Sequence, residues 1–120
     1  MRILIVDDSK AMRMIVKRTL RQAGYGDHVI EEAEDGKEAY EAIQKAPPDL
    51  LLTDWNMPNM TGIELLEALK ANGPTLKAGF VTTEGTPEMR KRATDAGALF
   101  LITKPFTPEN FKEALDPVIG

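Results

Sequence analysis

At 120 residues, 42% hydrophobic and 28% charged, the chain has the length and composition of one domain able to bury a core without staples. It contains no cysteine, which excludes a disulfide framework and thiolate chemistry, and its net charge of −4 argues against a general nucleic-acid binder, whose phosphate contacts need clustered cations. The N-terminal apolar run is too short for a signal peptide and no run approaches the roughly 18 residues of a membrane span, so a cytoplasmic protein without membrane insertion is expected.

Residues 3–6 are continuously apolar, the pattern of a strand buried on both faces, and Asp7 and Asp8 stop it. From Ser9, a ready N-cap, the period becomes helical: Met12, Ile15, Val16, Leu20 and Ala23 share a face, Arg13, Lys17, Arg18 and Arg21 lie between them, and Gly24 ends the run. Residues 28–33 read as a short edge strand. Asp35 caps the next helix, which Pro47 and Pro48 close. Residues 50–53 form a second continuously apolar strand, and Asp54 stands where it ends. Thr61 and Glu64 make a capping box for a helix carrying Ile63, Leu65, Leu66 and Leu69. Residues 77–83 read as a strand ending in two hydroxyls, Thr82 and Thr83. Thr86 and Pro87 open a weakly apolar helix with Arg90, Lys91 and Arg92. Residues 98–102 read as the fifth strand, followed by Lys104 and Pro105. Thr107 and Pro108 start the last helix, which Pro117 should kink or shorten.

Five strands alternating with five helices, with connections too long for hairpins, imply a doubly wound α/β domain around a parallel sheet covered on both faces. Such sheets bind ligands outside the carboxyl ends of their strands. Those ends carry Asp7 and Asp8, Asp54, Thr82, and Lys104, and right-handed crossovers bring them to one edge. Carboxylates about 4 Å apart repel by about 4 kcal/mol at an effective dielectric near 20, and Lys104 offsets only part of this. With no cysteine and one histidine in the chain, oxygen ligands favour Mg²⁺ over Zn²⁺. A carboxylate beside Mg²⁺, a lysine and a threonine hydroxyl suits phosphoryl transfer, with Asp54 on the middle strand as nucleophile.

The runs Val6-Asp7-Asp8-Ser9, Asp54-Trp55-Asn56-Met57-Pro58, Met60-Thr61-Gly62, Val81-Thr82, Gly97-Ala98 and Lys104-Pro105-Phe106 resemble the CheY-like receiver domain of two-component response regulators, of the chemotaxis type. The resemblance covers residues 1–120 as a single receiver domain. It implies the flavodoxin-like fold with strand order 2-1-3-4-5, and phosphorylation of Asp54 by a sensor histidine kinase. It further implies that Asp8, Asp54 and the Asn56 carbonyl hold Mg²⁺, with Asp7 acting mainly through water, and that Thr82 and Lys104 contact the phosphoryl group. The Lys104–Pro105 bond is expected to be cis. Asn56 and Glu84 match positions that tune dephosphorylation. Expected partners are the kinase, a phosphatase and a downstream protein target such as the flagellar motor switch. The protein is expected to be monomeric, without direct nucleic-acid contact, and to catalyse only its own phosphorylation and dephosphorylation.

Two departures stand out. Leu101 occupies the position where an aromatic residue usually couples to the threonine as a switch, and Thr83 replaces a usual alanine or glycine and adds bulk near the phosphoryl group. Two other readings stay open: a receiver fragment of a longer regulator with a DNA-binding or enzymatic output, and a Mg²⁺-dependent phosphohydrolase with an aspartate nucleophile. His28 is read as structural or exposed, and Trp55 equally as core packing or surface contact.

Overall fold

In a computed structural model, which describes residues 1–119, the chain alternates strand and helix throughout. The order is β1 (Arg2–Val6), α1 (Lys10–Leu20), β2 (Val29–Ala33), α2 (Gly36–Lys45), β3 (Leu50–Thr53), α3 (Gly62–Asn72), β4 (Lys77–Thr82), α4 (Pro87–Asp95), β5 (Leu101–Thr103) and α5 (Pro108–Ile119). All strand pairings are parallel and the sheet order is β2-β1-β3-β4-β5.

Strand alternation divides the core in two. Leu4, Val6, Leu51 and Phe80 face α2, α3 and α4, packing with Ala39, Ile43, Leu65, Leu66 and Ala93. Ile3, Ile5, Leu50, Leu52, Val81 and Ile102 face α1 and α5, packing with Val16, Leu20, Phe111 and Leu115. Both faces of the central strands are therefore apolar, which explains why β1 and β3 read as unbroken hydrophobic runs. At the rim, β2 is largely exposed before Ala33, with only Ile30 half-buried, as an edge strand should be.

The predicted caps form. Ser9, Asp35, Thr61 and Thr86 each accept from a backbone N–H three residues on, and Thr107 and Asn110 cap α5 reciprocally. After Leu20 the chain continues in a wider turn over Arg21–Tyr25, broken by Gly24 at φ 100°, a conformation that favours glycine.

Three boundaries differ from the sequence reading. β5 begins at Leu101 rather than at residue 98, because Gly97 (φ 101°) ends α4 in a Schellman turn with Ala98 N–H donating to Ala93 O at 2.9 Å. The apolar run 98–100 is thus partly a helix cap, and Leu99 lies 55% exposed. β4 stops at Thr82, and Thr83 is an exposed loop residue. Pro117 does not cut α5 short: the helix runs to Ile119, and the proline sits in the last turn, where only a terminal hydrogen bond is lost.

Candidate functional site

The sheet ladder carries on one residue past three strands, and this sets the site. Asp7 N–H donates to Ala33 O at 3.2 Å, Asp54 N–H to Val6 O at 2.8 Å, and Lys104 N–H to Thr82 O at 2.8 Å. Val6 and Thr53 are register partners, as are Thr82 and Thr103. Asp7, Asp54 and Lys104 therefore leave the sheet together at its carboxyl edge. The Lys104–Pro105 bond is cis, as expected.

Carboxylate oxygens of Asp7, Asp8 and Asp54 lie within 4.8 Å of one another. Lys104 Nζ is shared between Asp7 Oδ2 at 3.0 Å and Asp54 Oδ2 at 3.4 Å, with its side chain only 11% exposed. Asp7 is buried, and its Oδ1 accepts from Ser9 N–H at 2.9 Å. Asp54 Oδ1 accepts from Trp55 N–H at 2.7 Å. Burial pushes the Asp54 carboxyl above the usual range; the Lys104 ammonium pulls it down, the Asp7 anion pushes it up, and the Trp55 N–H pulls it down. Burial and the second anion outweigh the one cation. Asp8 is exposed, and no hydrogen bond among the described residues involves its carboxylate. Three carboxylates against one ammonium leave an all-oxygen donor set with excess negative charge, which fits a hard divalent cation.

Thr82 is fully buried and its Oγ1 has no hydrogen-bond partner among the described residues. An unpartnered buried hydroxyl costs about 1–3 kcal/mol. Asn56 and Glu84 are both exposed and line one groove with Trp55, Glu88, Met89 and Arg92. Trp55 is 8% exposed and packs on Phe80 with ring centroids 4.8 Å apart, so its role is core packing beneath the site. Leu101 is the register partner of Phe80 and packs on the α2–α3–α4 side, whereas Phe100 packs on the opposite side, as strand alternation predicted. Leu101 also reaches the loop after Thr82, since a Cβ at Gly85 would lie 3.2 Å from its Cδ2. His28 lies away from the site, with Nδ1 3.3 Å from the N-terminal ammonium.

Two residues matter more than the sequence reading gave them. Gly62 N–H donates to Trp55 O at 2.8 Å, and a Cβ there would lie 2.0 Å from Asp54 O. A glycine at the first turn of a helix, where alanine is the better helix former, was the available signal. Arg13 read as one of several polar residues along α1, yet it is buried and bonds the Asp7 carbonyl. No sequence signal separates it from Lys17 or Arg18.

Doubly wound domains place their chemistry at this edge of the sheet, and here the edge carries charge instead of an apolar cleft. The class is an α/β domain with an acidic pocket whose oxygen donors fit a cation. Residues 3–116 match the model of the response regulator receiver domain, and the chain belongs to that family. It is 42% identical over 123 residues to the chemotaxis protein CheY1 of Helicobacter pylori, covering 100% of this chain and 98% of the relative. It is also 42% identical over 120 residues to the chemotaxis protein CheY-3 of Vibrio cholerae, covering 98% and 91%. Among solved structures, the chemotaxis response regulator CheY4 of Vibrio cholerae is similar with a TM-score of 0.84 at 37% identity, over 98% of both chains.

Proposed function

We propose that Asp54 is the phosphoacceptor of a chemotaxis-type, single-domain response regulator spanning residues 1–120. A sensor histidine kinase is the donor: an Asp54 carboxylate oxygen forms a bond to phosphorus, the phosphorus–nitrogen bond of the phosphohistidine breaks, and its electron pair stays on the imidazole. Mg²⁺, when bound, neutralises charge on the carboxylates and the incoming phosphoryl oxygens. Asp8, Asp54 and the Asn56 carbonyl would hold it, with Asp7 beside them.

The chain's own groups supply the rest. Trp55 N–H orients Asp54 through Oδ1. Lys104, shared between Asp7 and Asp54, moves onto a phosphoryl oxygen once Asp54 becomes an acyl phosphate and the negative charge lies on the phosphoryl oxygens. Thr82 Oγ1, unpartnered at rest, donates to the same group, and satisfying that hydroxyl draws the 83–86 loop inward. Leu101, packed beneath that loop, follows it. The changed surface is read by a downstream protein such as the flagellar motor switch. Asn56 and Glu84, facing one groove, tune hydrolysis, alone or with a phosphatase. The protein acts in the cytoplasm as a monomer and turns over no separate substrate. Among the described residues, no helix is long and apolar enough to cross a membrane.

The observation that carries this reading is the Asp54 carboxylate within ion-pair reach of Lys104, gathered with Asp7 and Asp8. Intact mass after incubation with acetyl phosphate and Mg²⁺ tests it. Wild type should gain one phosphoryl group, and Asp54→Ala or added EDTA should abolish the gain. Equal labelling of the variant contradicts the assignment, and steady turnover of a small phosphate ester favours the hydrolase instead.

A further inference from the structure

Among the described residues, Arg13 is the one basic side chain buried outright. It lies one turn into α1, and its guanidinium reaches two ways. Nη1–H donates to the Asp7 carbonyl oxygen at 2.6 Å. Nε–H donates to Glu32 Oε1 on β2 at 2.9 Å, and Lys17 Nζ approaches Glu32 Oε2 at 3.4 Å.

The Asp7 carbonyl belongs to the Asp7–Asp8 peptide, which is planar. Gripping that oxygen fixes the plane and hence the direction in which Asp8 leaves the strand. Asp7 has other anchors: its N–H on Ala33, its Oδ1 under the Ser9 N–H, and its Oδ2 on Lys104. The Asp8 carboxylate has none among the described residues. Its place beside Asp7 and Asp54 therefore depends on the backbone alone. We propose that Arg13 is a positioning residue for the cation pocket: braced by Glu32, it clamps the Asp7–Asp8 peptide so that the Asp8 carboxylate is presented to the divalent cation. This inference rests on the magnesium reading above.

The sign of one measurement separates this role from its rivals. A guanidinium near a bound dication repels it, so a purely Coulombic role means that removing Arg13 tightens Mg²⁺ binding. A purely structural role lowers stability and leaves the affinity of the folded protein unchanged. Positioning means that removal weakens binding, by about tenfold where a group orienting a ligand is lost.

The chain has one tryptophan, directly after Asp54 and bonded to its carboxylate through the backbone N–H, so Trp55 fluorescence reports the pocket. Mg²⁺ titrations followed by this signal, with thermal melts alongside, would compare wild type with Arg13→Met, Arg13→Lys and Arg2→Met. Arg2 pairs with Glu31 at the other end of β1 and serves as the control. Arg13→Met should bind about tenfold more weakly. Arg13→Lys keeps the charge without the planar fork and should fall between. Arg2→Met should bind like wild type. If Arg13→Met does not fold, weakened binding by Arg13→Lys supports the proposal and wild-type affinity overturns it. Unchanged or tighter binding by folded Arg13→Met overturns this inference alone. A wild-type protein with no response to Mg²⁺, in fluorescence or in melting temperature, overturns the metal reading and this inference with it.

Discussion

Asp54 sits where ionisation is opposed. Burial, with the Asp7 anion beside it, holds its proton above the usual carboxylate range even against Lys104 and the Trp55 N–H. The folded protein therefore keeps this proton to higher pH than the unfolded chain does. The resulting stability is complete below the ordinary aspartate range and is lost as pH rises through the elevated titration. Near neutral pH the metal-free protein carries this cost. Asp54→Asn should accordingly melt higher than wild type without metal, by about 2–5 °C. Mg²⁺ should raise the wild-type midpoint and leave the variant nearly unmoved. A metal-free variant that melts lower than wild type contradicts the electrostatic account. Gly62 gives a second test. A methyl there meets the Asp54 carbonyl, so Gly62→Ala should cost about 1–3 kcal/mol in denaturant unfolding and slow phosphorylation by acetyl phosphate. Wild-type rate and stability would show that the close approach does not position Asp54. Asp7, Asp8, Asp54 and Lys104 were legible in the sequence because each stands within two residues of the end of an apolar run, where strand periodicity stops. Arg13 was not legible. Its burial comes from Glu32 on a different element, and helical spacing in α1 carries no trace of that contact.

Helix caps follow local hydrogen-bonding rules, and all five helix starts could be read from Ser, Asp or Thr at the right offset. β5 shows the opposite case. The apolar string 98–102 satisfies strand periodicity, but a left-handed Gly97 commits its first residue, Ala98, to closing α4. The turn after α1 adds a contact that the sequence hid. Tyr25, at the end of the wide Arg21–Tyr25 turn, donates its hydroxyl to Asp116 on α5. Burial first, then the hydrogen bond to Asp116 and its negative charge, pushes the phenol from its ordinary 10.0 up to about 12. The unfolded chain releases this proton near its ordinary value. The stabilisation is therefore complete below that value and is lost as pH rises through about 12. Tyr25→Phe should lose about 1–2 kcal/mol at neutral pH and show a flatter decline in stability across that alkaline window. Parallel wild-type and variant curves of urea midpoint against pH would contradict the linkage between the turn and α5.

Across the whole molecule, the sheet separates two cores, and the site bridges them at one edge. Trp55, whose backbone N–H bonds Asp54, packs on Phe80 on the α2–α3–α4 side, where Leu101 also packs. The response to phosphorylation should therefore spread along that side. With beryllofluoride as phosphoryl mimic, amide shifts should extend from Thr82 through Gly85 and Arg90 to Leu101, and leave Leu115 nearly unmoved. Silence at Leu101 and Arg90 would contradict the proposed route. Fold class was legible because five apolar runs alternate with five helical ones, whereas the strand order followed only from the family resemblance. How the signal leaves the site was not legible, because Leu101 carries no aromatic ring to mark the path. The most direct test of the central claim is peptide mapping by tandem mass spectrometry after phosphorylation with acetyl phosphate and Mg²⁺. The account predicts one modified residue, Asp54. A phosphoryl group on Asp7 or Asp8, or an unmodified chain, would contradict it.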